Sequence, residues 1–369
     1  MSADKNLDIA SIVRNFRIDG DFISGMPYGS GHINDTYLGR FKTPAGETRY
    51  IHQRINHNIF KQPELLIENI ARVTTHLRSK IQKAGGDPNR ESLTLVPAND
   101  GKFFHKTPAG DYWRTYLFID RAKTYDLVET PEHLRSGGQA FGRFGGMLGD
   151  MKGEPLHETI PMFHHTPNRL ALLREAIDAD CRNRAAGVKK EIQFALERSD
   201  EMGTLVRLQQ EGKLPVRITH NDTKFNNVMI DDDTQKAICV IDLDTVMPGL
   251  VLYDFGDMVR TGTITAMEDE PDVSKVGANL TMFEALVRGY LEGAAGSLTS
   301  AEVDQFVLAG RVITFTIGVR FLTDYLKGDV YFKIRREGHN LDRCHTQFKL
   351  VSELEKHAGE MDKIVARYR

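Results

Sequence analysis

Residues 215–254 constrain the fold more than any other stretch of the chain. Three short apolar runs, in VRITHND, NNVMID and AICVIDLD, sit here inside a long region of otherwise helical pattern. A small β-rich insert is therefore expected within a helical lobe, with polar residues presented at the strand ends. His220, Asn221 and Asp222 close the first run. Asn227 follows Asp222 by five positions, and Asp242 ends the third run twenty positions after Asp222.

The rest of the chain fixes what surrounds this insert. Residues 22–41, FISGMPYGSGHINDTYLGRF, place a glycine cluster (Gly25, Gly29, Gly31) between apolar runs and read as strand, tight turn, strand. Residues 48–56 read as another strand. From Pro63, the spacing of Leu66, Ile70, Val73 and Leu77 predicts an amphipathic helix opened by the proline. Strands follow at 93–98 and 111–119, with a turn at 102–110 between them. Beyond about Asp120 helical patterns dominate. The expectation is an α+β, two-lobed chain: a small β-rich N-terminal lobe over 1–118 and a larger, mostly helical lobe over 119–369.

Charge and cysteine content narrow the function classes. Lys and Arg number 48 against 51 Asp and Glu, a net charge of −3. That balance argues against an extended nucleic-acid footprint or a polybasic membrane surface. Cys181, Cys239 and Cys344 form neither a zinc spacing nor a disulfide framework, which points to a reducing compartment. The first residues, MSADKNLDIASIV, lack a long apolar segment, and no apolar stretch is expected to approach the roughly 18 residues of a membrane span. A cytoplasmic protein is expected.

The insert carries the chemistry. In a loop of the H-x-D-x-x-x-x-N type, the aspartate accepts the proton of an attacking hydroxyl and the asparagine ligates Mg²⁺. A second acidic residue on the next strand holds the metal against nucleotide phosphates. Hard carboxylate and amide oxygens suit Mg²⁺. Asp222, Asn227 and Asp242 meet this pattern. Asp244, read as facing the same side of the strand as Asp242, could share the metal or hold the substrate.

These residues resemble the aminoglycoside phosphotransferase and choline kinase-like superfamily. More narrowly, YGSGHINDTY (28–37), YIHQRIN (50–56), HNDTKFNNVM (220–229), VIDLDTVMPGLVLYDFGDMVR (240–260) and GVRFLTDYLKGDVYFK (318–333) resemble the N-acetylhexosamine 1-kinases. The resemblance implies a protein-kinase-like fold and transfer of the ATP γ-phosphate, with Mg²⁺, to the anomeric hydroxyl of a small-molecule sugar. By matching position, Asp222 is the base, with Asn227 and Asp242 as metal ligands. No nucleic-acid, membrane or protein partner is implied. A kinase of an aminoglycoside, choline or other amino alcohol is the alternative within the class, and a nucleotide-binding pseudokinase the alternative outside it.

The remaining nucleotide and substrate contacts are expectations of the same reading. The turn with Gly29, Ser30, Gly31 and Asn34 would cover the phosphates. The strand that carries a lysine in protein kinases has Gln53 and Arg54 instead, with Glu68 on the following helix as a candidate partner. Adenine would meet the strand at 114–118, near Tyr116 and Phe118. Arg320, in an apolar helix, must face a cleft or a carboxylate such as Asp324; the resemblance points it, with Tyr331, at sugar hydroxyls. The literal Asp-Phe-Gly at 254–256 is read as structural, with Asp254 capping or tying down a helix that begins near Gly256.

Overall fold

The computed structural model describes residues 8–29 and 33–369. The chain forms two compact units. One contains the residues up to Ala122, together with Gly153–Ile160 and Ile238–Val246; the other holds the remainder.

The first unit is built on an antiparallel sheet. Its strands are β1 (Asp21–Pro27), β2 (Asp35–Thr43), β3 (Gly46–Ile55), β4 (Leu95–Val96), β5 (His105–Lys106) and β6 (Tyr112–Leu117). They run in the order β1-β2-β3-β6-β4, with β5 beside β6. Alternation divides β6 between two environments. Trp113 joins an apolar cluster with Phe41, Tyr50, Val96 and the short helix Ile9–Val13, while Arg114 and Tyr116 point to the opposite face.

Strand β4 is shorter than the 93–98 expected from the sequence. Pro97 has no N–H to extend the ladder, and Ala98 pairs only as a bridge with Phe16. The helix Pro63–Lys83 forms as its spacing predicts, burying Leu66, Ile70, Val73 and Leu77. Buried Asn69 stitches three stretches of chain together. Its amide nitrogen donates to the carbonyls of His157 (2.8 Å) and Val246 (3.1 Å), and its oxygen accepts from the His157 N–H (3.0 Å).

The second unit is mostly helical. Its long helices are Pro131–Leu148, Thr166–Ala179, Val251–Gly262, Leu280–Ala294, Phe306–Lys327 and His339–Tyr368. Pro131–Leu148 and Leu280–Ala294 pack backbone to backbone. A Cβ on Gly142 would lie 2.3 Å from the Tyr290 carbonyl oxygen, and one on Gly293 would lie 2.1 Å from that of Gln139. Phe306–Lys327 is long and apolar enough, by length and composition alone, to cross a membrane. It passes unnoticed as a span in the sequence because Arg311, Arg320 and Asp324 interrupt it, and most of it is buried among neighbouring helices.

Residues 189–210 form three short helices, Lys189–Glu197, Ser199–Met202 and Thr204–Gln210. The breaks fall at Arg198, whose guanidinium is drawn to Glu355 (2.8 and 3.0 Å), and at Gly203, a poor helix former. The last helix runs unbroken over His339–Tyr368.

Candidate active site

In the second unit, strand Arg217–Thr219 pairs antiparallel with Met247–Gly249 and delivers the chain into the loop that carries Asp222. Asn221 adopts a left-handed conformation (φ 66°), which asparagine tolerates better than most residues. Asp254 holds that bend in place. Its carboxylate accepts from the backbone N–H groups of His220 (2.9 Å) and Asn221 (2.7 Å), and its carbonyl accepts from the Thr223 hydroxyl (2.6 Å). The helix carrying Asp254 begins at Val251, not near Gly256, so Asp254 sits in its first turn and fastens the loop to it.

Burial pushes the Asp254 carboxyl up to about 7, against the opposing pull of those two N–H groups. Buried His164 places Nε2 2.8 Å from the Asn221 carbonyl oxygen, and burial lowers its pKa to about 4, so the ring is neutral at pH 7. His164 carries no signal in the sequence; the structure makes it a second brace of the Asp222 loop.

Asp222 itself is partly exposed. Lys224 Nζ lies 3.0 Å from one carboxylate oxygen. The Asn227 amide nitrogen donates to the other oxygen (3.1 Å) and to the Asp222 carbonyl (2.8 Å). Burial works against the charge on Asp222, but Lys224 outweighs it and holds the carboxyl below its usual range. With its nitrogen committed to Asp222, Asn227 has an amide oxygen that accepts no hydrogen bond from the described residues. That is the hard donor a Mg²⁺ ion takes. Among the described residues no group of three or more His, Cys, Asp or Glu is gathered for a metal. A cation here would have to complete its shell with phosphate oxygens and water. Lys224 was not foreseen, although it stands two residues from Asp222.

In the first unit, the strand Ala237–Val240 leads to Asp242, which is left-handed (φ 58°), and then to a 3₁₀ turn, Leu243–Thr245. Residues 242–244 are therefore not a strand, and the alternation argument that put Asp244 on the same side as Asp242 fails. Asp244 is buried with both oxygens engaged, one by Arg114 Nη1 (2.5 Å) and one by the Asn34 amide (2.7 Å). Arg114 also donates through Nε (3.0 Å) and Nη2 (2.9 Å) to the Gln53 side-chain oxygen. Burial disfavours the Arg114 charge, yet Asp244, with Asp242 contributing, raises its pKa above the ordinary value.

β3 offers no buried cation; a buried guanidinium, Arg114, stands on β6 at the position directly paired with Gln53. Arg54 points the other way, to Asp35. Glu68 pairs with neither Gln53 nor Arg54; its carboxylate is 3.2 Å from His157 Nε2. A guanidinium in the apolar run of 112–117 was the available signal for Arg114, the same signal that singled out Arg320.

Of the glycine turn, Gly29 has φ +80°, as a turn glycine should, while Ser30 and Gly31 lie outside the described residues. Tyr28 meets Phe118 edge to face (5.9 Å). Tyr116 is buried beside the Arg114 guanidinium (5.3 Å).

Arg320 does not pair with Asp324. That carboxylate accepts from the backbone N–H groups of Val330, Tyr331 and Phe332 and from the Asn340 amide, pinning the loop after the helix. The Arg320 guanidinium lies over the rings of Phe163 (4.9 Å), Phe332 (5.4 Å) and Tyr331 (5.6 Å) and donates to the Tyr331 hydroxyl (3.4 Å). Phe163 immediately precedes His164, which braces the Asp222 loop. Arg169 is close enough that burial, reinforced by the Arg320 charge, lowers its pKa to about 10. Among the described residues no carboxylate lies within ion-pair distance of Arg320.

The fold is shared with solved phosphotransferases. It is similar to an aminoglycoside phosphotransferase from Alicyclobacillus acidocaldarius (12% identity, 97% of this chain and 96% of the other, TM-score 0.61). It is also similar to spectinomycin phosphotransferase in complex with ADP and spectinomycin (12%, 93% and 94%, 0.58) and to choline kinase from Cryptosporidium parvum (13%, 98% and 98%, 0.56). At these identities the likeness is one of fold. The sequence model of the phosphotransferase enzyme family, APH, matches residues 24–273, more than half of the chain. The protein therefore belongs to the APH phosphotransferase enzyme family.

Proposed function

We propose that this protein is an ATP- and Mg²⁺-dependent kinase that phosphorylates the anomeric hydroxyl of an N-acetylhexosamine, in a reducing cytoplasm. The surroundings of Arg320 carry this reading. Choline and aminoglycosides are cations, and a pocket for them calls for carboxylates. Here a guanidinium on three aromatic rings, with Arg169 nearby, offers hydrogen-bond donors and apolar ring faces. A neutral polyol with an acyl group suits such a wall.

In this mechanism Asp222 accepts the proton of the attacking hydroxyl as the new O–P bond forms and the bond to the ADP leaving group breaks. Its low pKa makes it a weak base. That suffices where the phosphoryl group is largely detached before the hydroxyl attacks, so the proton leaves late. An anomeric hydroxyl, acidified by the ring oxygen, needs less help than an ordinary alcohol. Lys224 keeps Asp222 ionised and aimed. Asn227, through its amide oxygen, and Asp242 are the residues that would hold Mg²⁺, which would supply charge neutralisation to the nucleotide.

A coupled ADP-release screen over N-acetylhexosamines, hexoses, choline and kanamycin, with the phosphorylated position read by NMR, tests the assignment. Turnover confined to choline or kanamycin would overturn it in favour of the amino-alcohol reading.

Arg320→Met separates a ligand contact from a structural one. Losing a charged donor to the sugar should lower kcat/KM for the sugar roughly 10- to 150-fold, with the KM for ATP nearly unchanged. Methionine retains most of the packing on Phe163 and Tyr331, so the melting temperature should stay near that of the wild type. A large fall in melting temperature with sugar kinetics intact would remove the main support for a neutral acceptor.

A further inference from the structure

We propose that Arg114, Asp244 and Asn34 form a positioning bracket that sets the Asp242 turn for nucleotide and metal, with Arg114 as its charge key. The bracket closes on itself. Gln53 donates to the Thr36 hydroxyl (3.0 Å) and accepts twice from Arg114; Arg114 meets one oxygen of Asp244; Asn34 donates to the other. The Asn34 oxygen then accepts from the Asn56 N–H (3.0 Å). Thr36 and Gln53 are register partners on β2 and β3, so the circuit begins and ends on the same hairpin. It joins the residue that closes the glycine turn, Asn34, to the turn that carries Asp242.

Two features make the bracket more than packing. Asp242 takes a left-handed conformation, which aspartate tolerates better than most residues, and this bend ends the strand and starts the turn on which Asp244 lies. The neighbouring turn is fixed by Arg114 and Asn34. The charges also count: Asp244 is the nearer counter-charge of the Arg114 guanidinium, which the charge of Asp242 also reaches. Removing the Asp244 charge would leave an uncompensated guanidinium beside Asp242, competing with Mg²⁺ for it. Arg114 acts here as a positioning residue; Nε and Nη2 donate to Gln53, and Nη1 forms the ion pair with Asp244.

The inference rests on the proposed use of a Mg²⁺ nucleotide, and the test separates the two. Mn²⁺ binding in the presence of ADP, followed by electron paramagnetic resonance, and the affinity for a fluorescent ADP analogue need no acceptor and no turnover. Asp244→Asn keeps the shape of the turn and should weaken Mn²⁺ binding at least about tenfold, the scale of one unit charge in partly buried surroundings. The double variant Arg114→Gln with Asp244→Asn removes both charges and should recover to within about threefold of the wild type.

Asn34→Ala removes two hydrogen bonds, the one given to Asp244 and the one accepted from the Asn56 N–H, and no charge, and stands in should Asp244→Asn fail to fold. It should weaken the ADP analogue about three- to tenfold, with the acceptor KM unmoved. Wild-type protein that binds no nucleotide would defeat the kinase reading itself. Wild-type binding with Mn²⁺ affinity unchanged in Asp244→Asn, or ADP affinity unchanged in Asn34→Ala, would overturn the bracket alone. So would a double variant no better than Asp244→Asn.

Discussion

Asp222→Asn is expected to lower kcat by about 10²–10⁴ while leaving nucleotide affinity within a factor of about two. The amide cannot accept the hydroxyl proton, but it is isosteric and can still receive the Asn227 N–H that reaches Asp222 at 3.1 Å. Lys224 loses its counter-charge in this variant, so some rearrangement of its ammonium is expected. Lys224→Met is the control. If Lys224 only keeps Asp222 ionised and aimed, its loss should cost less than the loss of Asp222 and should raise the pKa seen on the acidic limb of the kcat profile, because Lys224 is what holds that carboxyl down. A kcat for Asp222→Asn within about threefold of the wild type would remove Asp222 from the mechanism.

Asp242→Ala should abolish Mg²⁺-dependent turnover, whereas alanine at Asp254 should act through the fold. The distinction matters because a literal Asp-Phe-Gly occurs at 254–256. Asp254 already accepts two backbone N–H groups of the Asp222 loop, and leaving those donors unpaired in the interior costs about 1–3 kcal/mol each. Asp254→Ala should therefore lower the melting temperature clearly, with its loss of activity following the loss of folded protein. Its pH signature has a definite sign. The folded carboxyl titrates near 7 and an unfolded one near 4, so the folded chain binds the extra proton between those values. The contribution of Asp254 to stability is fully present below about pH 4 and is lost as the pH rises through about 7. Asp254→Asn, which cannot titrate, should flatten the dependence of melting temperature on pH across that window. The opposite outcome, with Asp254 controlling the Mg²⁺ titration and Asp242 only stability, would move the metal to the literal motif.

Much of this was legible from the chain because local rules governed it. The helix from Pro63, the strand pairs at 22–56 and the loop bearing Asp222 follow from periodicity, a proline start and turn chemistry. The reading failed where tertiary partners decided the outcome. Alternation placed Asp244 beside Asp242 on a strand, but a left-handed residue ends that strand early, and Asp244 instead meets Arg114, 130 positions away in the chain. A cation was expected along β3, while the buried guanidinium of this sheet, Arg114, stands across the ladder on β6. Glu68 was assigned by analogy with a pair whose other member is absent, and His157 took its place. For Arg320 the local partner, Asp324, proved to be occupied by three backbone amides that no pattern of side chains reveals.

The discontinuity of the first unit has a consequence for how the protein is made. Its sheet is complete once Leu117 has been synthesised, yet Val246, which accepts from Asn69, and Asp244, which neutralises Arg114, lie more than 120 residues further on. At the usual 5–20 residues per second the ribosome needs roughly 6–25 s to reach them. For that interval the nascent sheet carries a cation whose counter-charge has not yet been translated. Burying that guanidinium without its counter-charge is costly, so Arg114 should stay hydrated until the acidic turn arrives. A fragment ending at Ala122 would remain in that waiting state permanently.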